Sequence, residues 1–195
     1  MQNIRRMQKH LPERVQKGQG TMRAFTFENA TKIYFGGGCV KEHLLEAVKP
    51  YGETVMLAYG GGSIKTNGIY QEVMDVLKLA GKQVIEFSGI MPNPTYSKVM
   101  EGKKVVQENQ VDLILAVGGG SVMDCSKAIS MAAATDKDVW EEYWIKKGEI
   151  DFEPVPVGVI VTVVGTGSEV NGEGVITHEE QKIKTSRNYP RCNPV

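Results

Sequence analysis

The sequence predicts an α/β fold: a doubly wound, mainly parallel sheet with helices on both faces. Two observations predict it. Between residues 54 and 161, short apolar runs alternate with stretches of helical periodicity. Parallel strands need such crossover helices, and right-handed crossovers wind them onto both faces of the sheet. Two of the apolar runs also end in glycine triplets, Gly60-Gly61-Gly62 and Gly118-Gly119-Gly120, and ligands of such sheets bind beyond the carboxyl ends of the strands.

Each element follows from its local pattern. The runs 24–27 and 31–35 alternate in the manner of an opening β segment that ends at Gly36-Gly37-Gly38. His43, Leu44, Leu45, Ala47 and Val48 form the stripe of a helix stopped by Pro50 and Gly52. A strand over Thr54–Tyr59 leads into the turn Gly60-Gly61-Gly62-Ser63. Ile69, Val73, Val76, Leu77 and Ala80 then mark a helix ending at Gly81. Gln83–Phe87 is a short strand, Pro92 and Pro94 mark a loop, and Tyr96, Val99, Val105 and Val106 belong to a helix. The apolar run 112–117 is a strand, and residues 121–134 are helical. After an aromatic stretch with Trp140, Tyr143 and Trp144, Val157–Val161 reads as a buried strand. A polar turn follows, with Thr162, Gly165, Thr166, Gly167, Ser168 and Glu169, and then a hairpin from Gly174 through Thr185.

The junction at residues 118–121 is built to hold a phosphate. Glycines let the backbone pass close to a ligand, while unpaired N–H groups and the positive end of a helix dipole face the anion. Ser121 as N-cap with Asp124 three residues on fits a capping box that would fix the start of the helix. A glycine connection without a ligand is the plain alternative. No G-x-G-x-x-G sequence occurs, so a dinucleotide site would rest on other loops than the common fingerprint.

The bulk composition narrows the function classes. A chain of 195 residues, 41% hydrophobic and 24% charged, buries one good core or one core plus part of another. Twenty-three basic residues balance twenty-three acidic ones, which leaves no field to attract nucleic acid or an anionic membrane surface. Cys39, Cys125 and Cys192 have no metal-like spacing, which implies reduced thiols and a cytoplasmic protein. No apolar stretch is long enough to span a bilayer. Residues 1–21 carry Arg5, Arg6, Lys9, Arg14 and Lys17 against Glu13 alone. They read as a disordered leader or mis-assigned start, with a transit peptide as the alternative, and the expected domain occupies 22–195.

Three ordered motifs carry a resemblance: Tyr59-Gly60-Gly61-Gly62-Ser63, Gly118-Gly119-Gly120-Ser121-Val122-Met123-Asp124 and Gly165-Thr166-Gly167-Ser168-Glu169. Together with the start Phe27-Glu28-Asn29-Ala30-Thr31-Lys32-Ile33-Tyr34-Phe35-Gly36 and the segment Arg187-Asn188-Tyr189-Pro190, the chain resembles the iron-containing alcohol dehydrogenase family from about residue 22 to residue 195. The similarity is to its butanol-dehydrogenase-like branch. It implies a dehydroquinate synthase-like N-terminal domain that binds NAD or NADP. In the family a helical domain follows, whose aspartate and histidines hold a divalent metal, iron or zinc, and that domain is expected to be absent here.

Carried over by position, Gly118, Gly119, Gly120 and Ser121 would cradle the pyrophosphate, with Asp124 close by. Gly60, Gly61, Gly62 and Ser63 would border the adenosine ribose. Thr162, Thr166 and Ser168 would lie along the ribose and nicotinamide side, with Asn171 a further candidate near the substrate. For Asp124 and Glu169, direct contact and helix capping both stay open. Coenzyme choice stays open too: residues 60–63 supply no acid for a 2′-hydroxyl, and Ser63 and Lys65 could meet a 2′-phosphate, a solvated helix-end lysine being the plain alternative for Lys65.

His10, His43 and His178 are the only histidines, and none falls at a family ligand position. They read as a leader residue, a helix residue and a hairpin-loop residue. The resemblance therefore implies a metal-dependent alcohol dehydrogenase or aldehyde reductase acting on a small alcohol or aldehyde, represented by its cofactor-binding half and inactive alone for lack of metal ligands. The alternative is an inactive nucleotide-binding or dimerisation fragment, pairing as a homodimer through its opening β segment. Relatives such as glycerol dehydrogenase or dehydroquinate synthase fit the Ser-Ile-Lys and Gly-Thr-Gly-Ser-Glu contexts less well.

Overall fold

The structure, a computed structural model, describes Asn29 and residues 31–195; the leader over 1–21 and the run 24–27 lie outside the described residues. Four parallel strands, β1 (Thr54–Tyr59), β2 (Gln83–Phe87), β3 (Leu113–Gly118) and β4 (Val157–Val161), form a sheet in the order β2-β1-β3-β4. The register sets Tyr59 beside Val117, and Gly118 beside Val161. Helices α1 (Cys39–Val48), α2 (Ser63–Thr66), α3 (Ile69–Leu79), α4 (Tyr96–Glu108) and α5 (Gly120–Ala133) connect and cover the strands.

Side-chain alternation along the central strands divides the interior into two layers. Val55, Leu57, Tyr59, Leu113, Leu115 and Val117 pack with Leu44 and Val48 of α1 and Val73 and Leu77 of α3. Met56, Ala58, Ile114 and Ala116 face the other way, onto Val99 and Val106 of α4 and Val122 and Ile129 of α5. Both faces of β1 and β3 are therefore covered, which is why these strands read as unbroken apolar runs. Edge strand β2 keeps Gln83 and Glu86 exposed. Gly102 of α4 lets that helix lie close on α5: a Cβ there would stand 2.3 Å from Cδ1 of Ile129.

The aromatic stretch becomes a π-helical turn, Trp140–Ile145. It is hydrogen-bonded to the antiparallel hairpin of β5 (Glu173–His178) and β6 (Ile183–Asn188) and to the residue that follows it. Trp140 Nε1 donates to Gln181 (2.9 Å), Trp144 Nε1 to the Gly174 carbonyl (3.3 Å) and the Tyr189 hydroxyl to the Tyr143 carbonyl (2.7 Å). No helix among the described residues is long and apolar enough to cross a membrane.

Two expectations are corrected. Residues 31–35 form no strand, because no neighbouring chain among the described residues offers them a ladder; Tyr34 instead stacks on His43, and Ile33 and Phe35 stay exposed. His178 ends strand β5 rather than lying in the hairpin loop, and its ring packs against Tyr96 and Trp140, 5.1 and 5.0 Å between centroids.

Candidate functional site

The chain leaves β1 toward β2 on one side and leaves β3 toward β4 on the other. The gap between the carboxyl ends of β1 and β3 is thus a topological switch point, where open α/β sheets bind their ligands. Both predicted glycine turns open into it, since the strands that carry them are hydrogen-bonded neighbours. Gly60 is overlaid by the loop after β2, whose Gly89 N–H donates to the Gly60 carbonyl (3.1 Å). Gly62 takes φ 103° and starts the short helix α2, with exposed Ser63 as its first residue.

The three glycines after β3 have different reasons to be there. A Cβ on Gly118 would fall 2.6 Å from Val122 Cγ2, and one on Gly120 2.6 Å from Thr166 Cγ2. Both positions are closed by internal packing. Gly119 has no such reason: its φ is −96°, open to any residue, and a Cβ would meet nothing nearer than Val163 at 3.5 Å. What a side chain at 119 would cover is the start of α5, because an N-cap side chain lies over the first amides of its helix.

Here the structure corrects the capping box. The N-cap is Gly119, not Ser121; α5 starts at Gly120 and no side chain caps it. The Gly119 carbonyl accepts from Val122 and Met123 (3.0 and 3.2 Å), while among the described residues the N–H groups of Gly119, Gly120 and Ser121 meet no acceptor. Three free donors at the positive end of a 14-residue helix form a cradle suited to a phosphate group.

Thr162 and Thr166 stand at the rim of this mouth. Thr162 N–H donates to the Gly118 carbonyl (3.0 Å), and exposed Thr166 rests its methyl over Gly120 while its Oγ1 accepts from Ser168 N–H (3.2 Å). Asp124 and Ser168 lie beneath, 9% and 3% exposed. Ser168 Oγ donates to Asp124 Oδ1 (2.5 Å), and Asp124 Oδ2 accepts from Val175 N–H (3.1 Å). Asn171 is likewise used internally: its Nδ2 donates to the Gly167 carbonyl (2.9 Å) and its Oδ1 accepts from Glu173 N–H (2.9 Å).

The sequence reading missed the group that ties these together. Lys127, 2% exposed, donates to the Ser168 carbonyl (2.9 Å), Ser168 Oγ (2.6 Å) and the Asn171 carbonyl (3.0 Å), with Asp124 Oδ1 at 3.8 Å. The available signal was an acid and a lysine three apart on a helix otherwise lined with Val122, Met123, Cys125, Ala128 and Ile129. Burial pushes the Asp124 carboxyl up and pulls Lys127 down to about 8.

The folded chain therefore binds fewer protons at Lys127 than the unfolded chain between pH 8 and the ordinary lysine value of 10.5. Unfolding free energy attributable to Lys127 is expected to rise across that window by up to about 3 kcal/mol. Urea midpoints against pH for wild type and Lys127→Met check this, and parallel profiles reject it.

A second missed residue is Glu86 in β2. Its carboxylate accepts from Tyr59 (2.5 Å), Tyr70 (2.7 Å) and Lys65 Nζ (3.2 Å). An acid near the carboxyl end of the strand beside the first glycine turn was the available signal. As for metals, no group of three or more His, Cys, Asp and Glu side chains suited to one occurs among the described residues. The described residues do not make a metal site.

Residues 30–195 match the model of a family described as iron-containing alcohol dehydrogenase. The chain belongs to that family. Among the relatives of this chain, Probable NADH-dependent butanol dehydrogenase 1 of Bacillus subtilis is 44% identical over 89% of the chain and 44% of its own length. The NADPH-dependent aldehyde reductase of Escherichia coli is 37% identical over 89% of the chain and 44% of its own length. The crystal structure of NADH-dependent butanol dehydrogenase A from Thermotoga maritima superposes with a TM-score of 0.83 at 40% identity, covering 89% of this chain and 43% of that one. The chain thus spans less than half the length of the relatives it matches.

Proposed function

We propose that residues 22–195 are the nicotinamide dinucleotide-binding part of an NAD(P)-dependent, metal-dependent alcohol dehydrogenase or aldehyde reductase. One observation carries the reading: Gly119 has no packing or backbone reason to be glycine, and it leaves three amide donors open at the switch point. The relatives' names agree, being butanol dehydrogenases and an aldehyde reductase that use NADH or NADPH.

In this reading the amides of Gly119, Gly120 and Ser121 hold the pyrophosphate, and Gly118 and Gly120 let strand, helix and Thr166 approach closely enough to aim them. Gly60, Gly61, Gly62 and Ser63 border the adenosine ribose. Thr162 and Thr166 flank the nicotinamide side, and the buried Lys127, Asp124 and Ser168 fix the loop that carries them. Bound nicotinamide would supply hydride exchange with the carbon of a small alcohol or aldehyde; the residues of this chain bind and orient it. A cytoplasmic setting suits three free cysteines, two of which burial pushes up to about 12 and so keeps unreactive.

Titration of the chain with NADH and NADPH, read by coenzyme fluorescence, tests the proposal. Saturable binding of at least one is expected; a folded chain that responds to neither at millimolar concentration overturns it. A second reading, a non-catalytic binding or dimerisation fragment, is favoured by the exposed Ile33 and Phe35 and by the lack of a metal-ligand group among the described residues. Turnover of alcohols or aldehydes by this chain on adding ferrous or zinc ions and coenzyme would reject it.

A further inference from the structure

Lys65 is the cation that stands nearest in sequence to the first glycine turn, two residues beyond Ser63, and it is not free. Its ammonium bonds Glu86 Oε2 at 3.2 Å and lies over the rings of Tyr70 and Tyr59, 4.5 and 5.2 Å from their centroids. The Tyr59 and Tyr70 hydroxyls donate to the same carboxylate, one to each oxygen. The four groups close into one cluster at the carboxyl ends of β1 and β2, where Glu86 pairs in register with Leu57.

The adenosine ribose of a dinucleotide lying across the switch point falls on this side of the sheet. A 2′-phosphate there would carry between one and two negative charges and needs an uncommitted cation, whereas a 2′-hydroxyl needs only a hydrogen-bond partner. Lys65 is neutralised by its carboxylate, so the cluster offers a 2′-phosphate no net attraction, and the Glu86 charge opposes its approach. Donation from Tyr59 and Tyr70 holds the Glu86 carboxyl below its usual range, and hydrogen bonds to Tyr59 and Glu86 hold the Lys65 ammonium above its own. Both stay charged at neutral pH.

Resting on the dinucleotide reading above, the geometry points to a coenzyme-selection device: Glu86, by sequestering Lys65, makes the site favour NADH over NADPH. The relatives include both NADH- and NADPH-dependent enzymes, so their names alone leave the choice unsettled.

Dissociation constants of NADH and NADPH for the full 195-residue chain, measured by fluorescence titration, test this device. Wild type is expected to hold NADH more tightly. Glu86→Gln frees Lys65 and should tighten NADPH about fivefold while moving NADH less than about twofold, the scale of one charge interaction at a largely exposed site. Adding Lys65→Ala to Glu86→Gln should cancel the gain. Glu86→Thr, which keeps a good strand former on the edge strand, carries the same expectation, and melting curves verify that each variant folds. An unchanged NADPH-to-NADH ratio in both Glu86 variants, with binding intact, overturns the selection device and leaves the dinucleotide reading standing. A wild-type chain that binds neither coenzyme overturns both.

Discussion

Gly119→Val is expected to abolish measurable dinucleotide binding while leaving the fold intact. The valine Cβ would sit 3.5 Å from Val163, an ordinary contact, on backbone with φ −96°. Its methyl groups would stand over the amides of Gly120 and Ser121, so the phosphate would lose both its space and its donors. A loss of at least about a hundredfold in affinity is the scale of two or three charge-assisted hydrogen bonds. Gly119→Asp should act likewise and raise helix stability by a few tenths of a kcal/mol, because its carboxylate would cap α5 and repel the ligand. Coenzyme titration and melting curves together check the pair; unchanged affinity in a folded Gly119→Val rejects the cradle. Gly120→Val should instead damage the fold, since its Cβ would collide with Thr166.

The largest stability effect is expected at Asp124. Asp124→Ala would leave Lys127 inside the protein without its carboxylate and would strip Ser168 Oγ and Val175 N–H of their acceptor. Breaking a buried charged pair by deleting one partner costs about 3–5 kcal/mol. Replacing both, as Asp124→Ala with Lys127→Met, should recover part of that loss because no buried charge remains. Urea denaturation of the single and double variants measures the difference, and a single-variant loss under about 1 kcal/mol would show that the pair does not organise the loop.

What the sequence disclosed depends on how local its cause is. The bounds of β1, β2 and β4 agree with the residues expected, because a fully or half-covered strand writes its burial into five or six consecutive residues. Residues 31–35 are not the strand their alternation suggests, because alternation there requires a neighbour that the pattern cannot supply. Capping rules point to Ser121 because they look for a side chain, whereas this helix is started by the bare backbone of Gly119. Lys127 escaped notice because its partners, Ser168 and Asn171, lie 41 and 44 residues away, a relation no local periodicity encodes. Glu86 was hidden similarly: Tyr59, Lys65 and Tyr70 converge on it only once β1 and β2 are paired.

The alternation of β1 and β3 also bears on how such a protein can diverge. Tyr59 and Leu57, beside the Lys65–Glu86 pair, belong to the layer under α1 and α3, while Val122 and its neighbours at the foot of the phosphate cradle belong to the opposite layer. Substitutions around the first glycine turn are therefore read mainly by the layer under α1 and α3, and those at the foot of α5 mainly by the opposite layer, with β1 and β3 contributing to both.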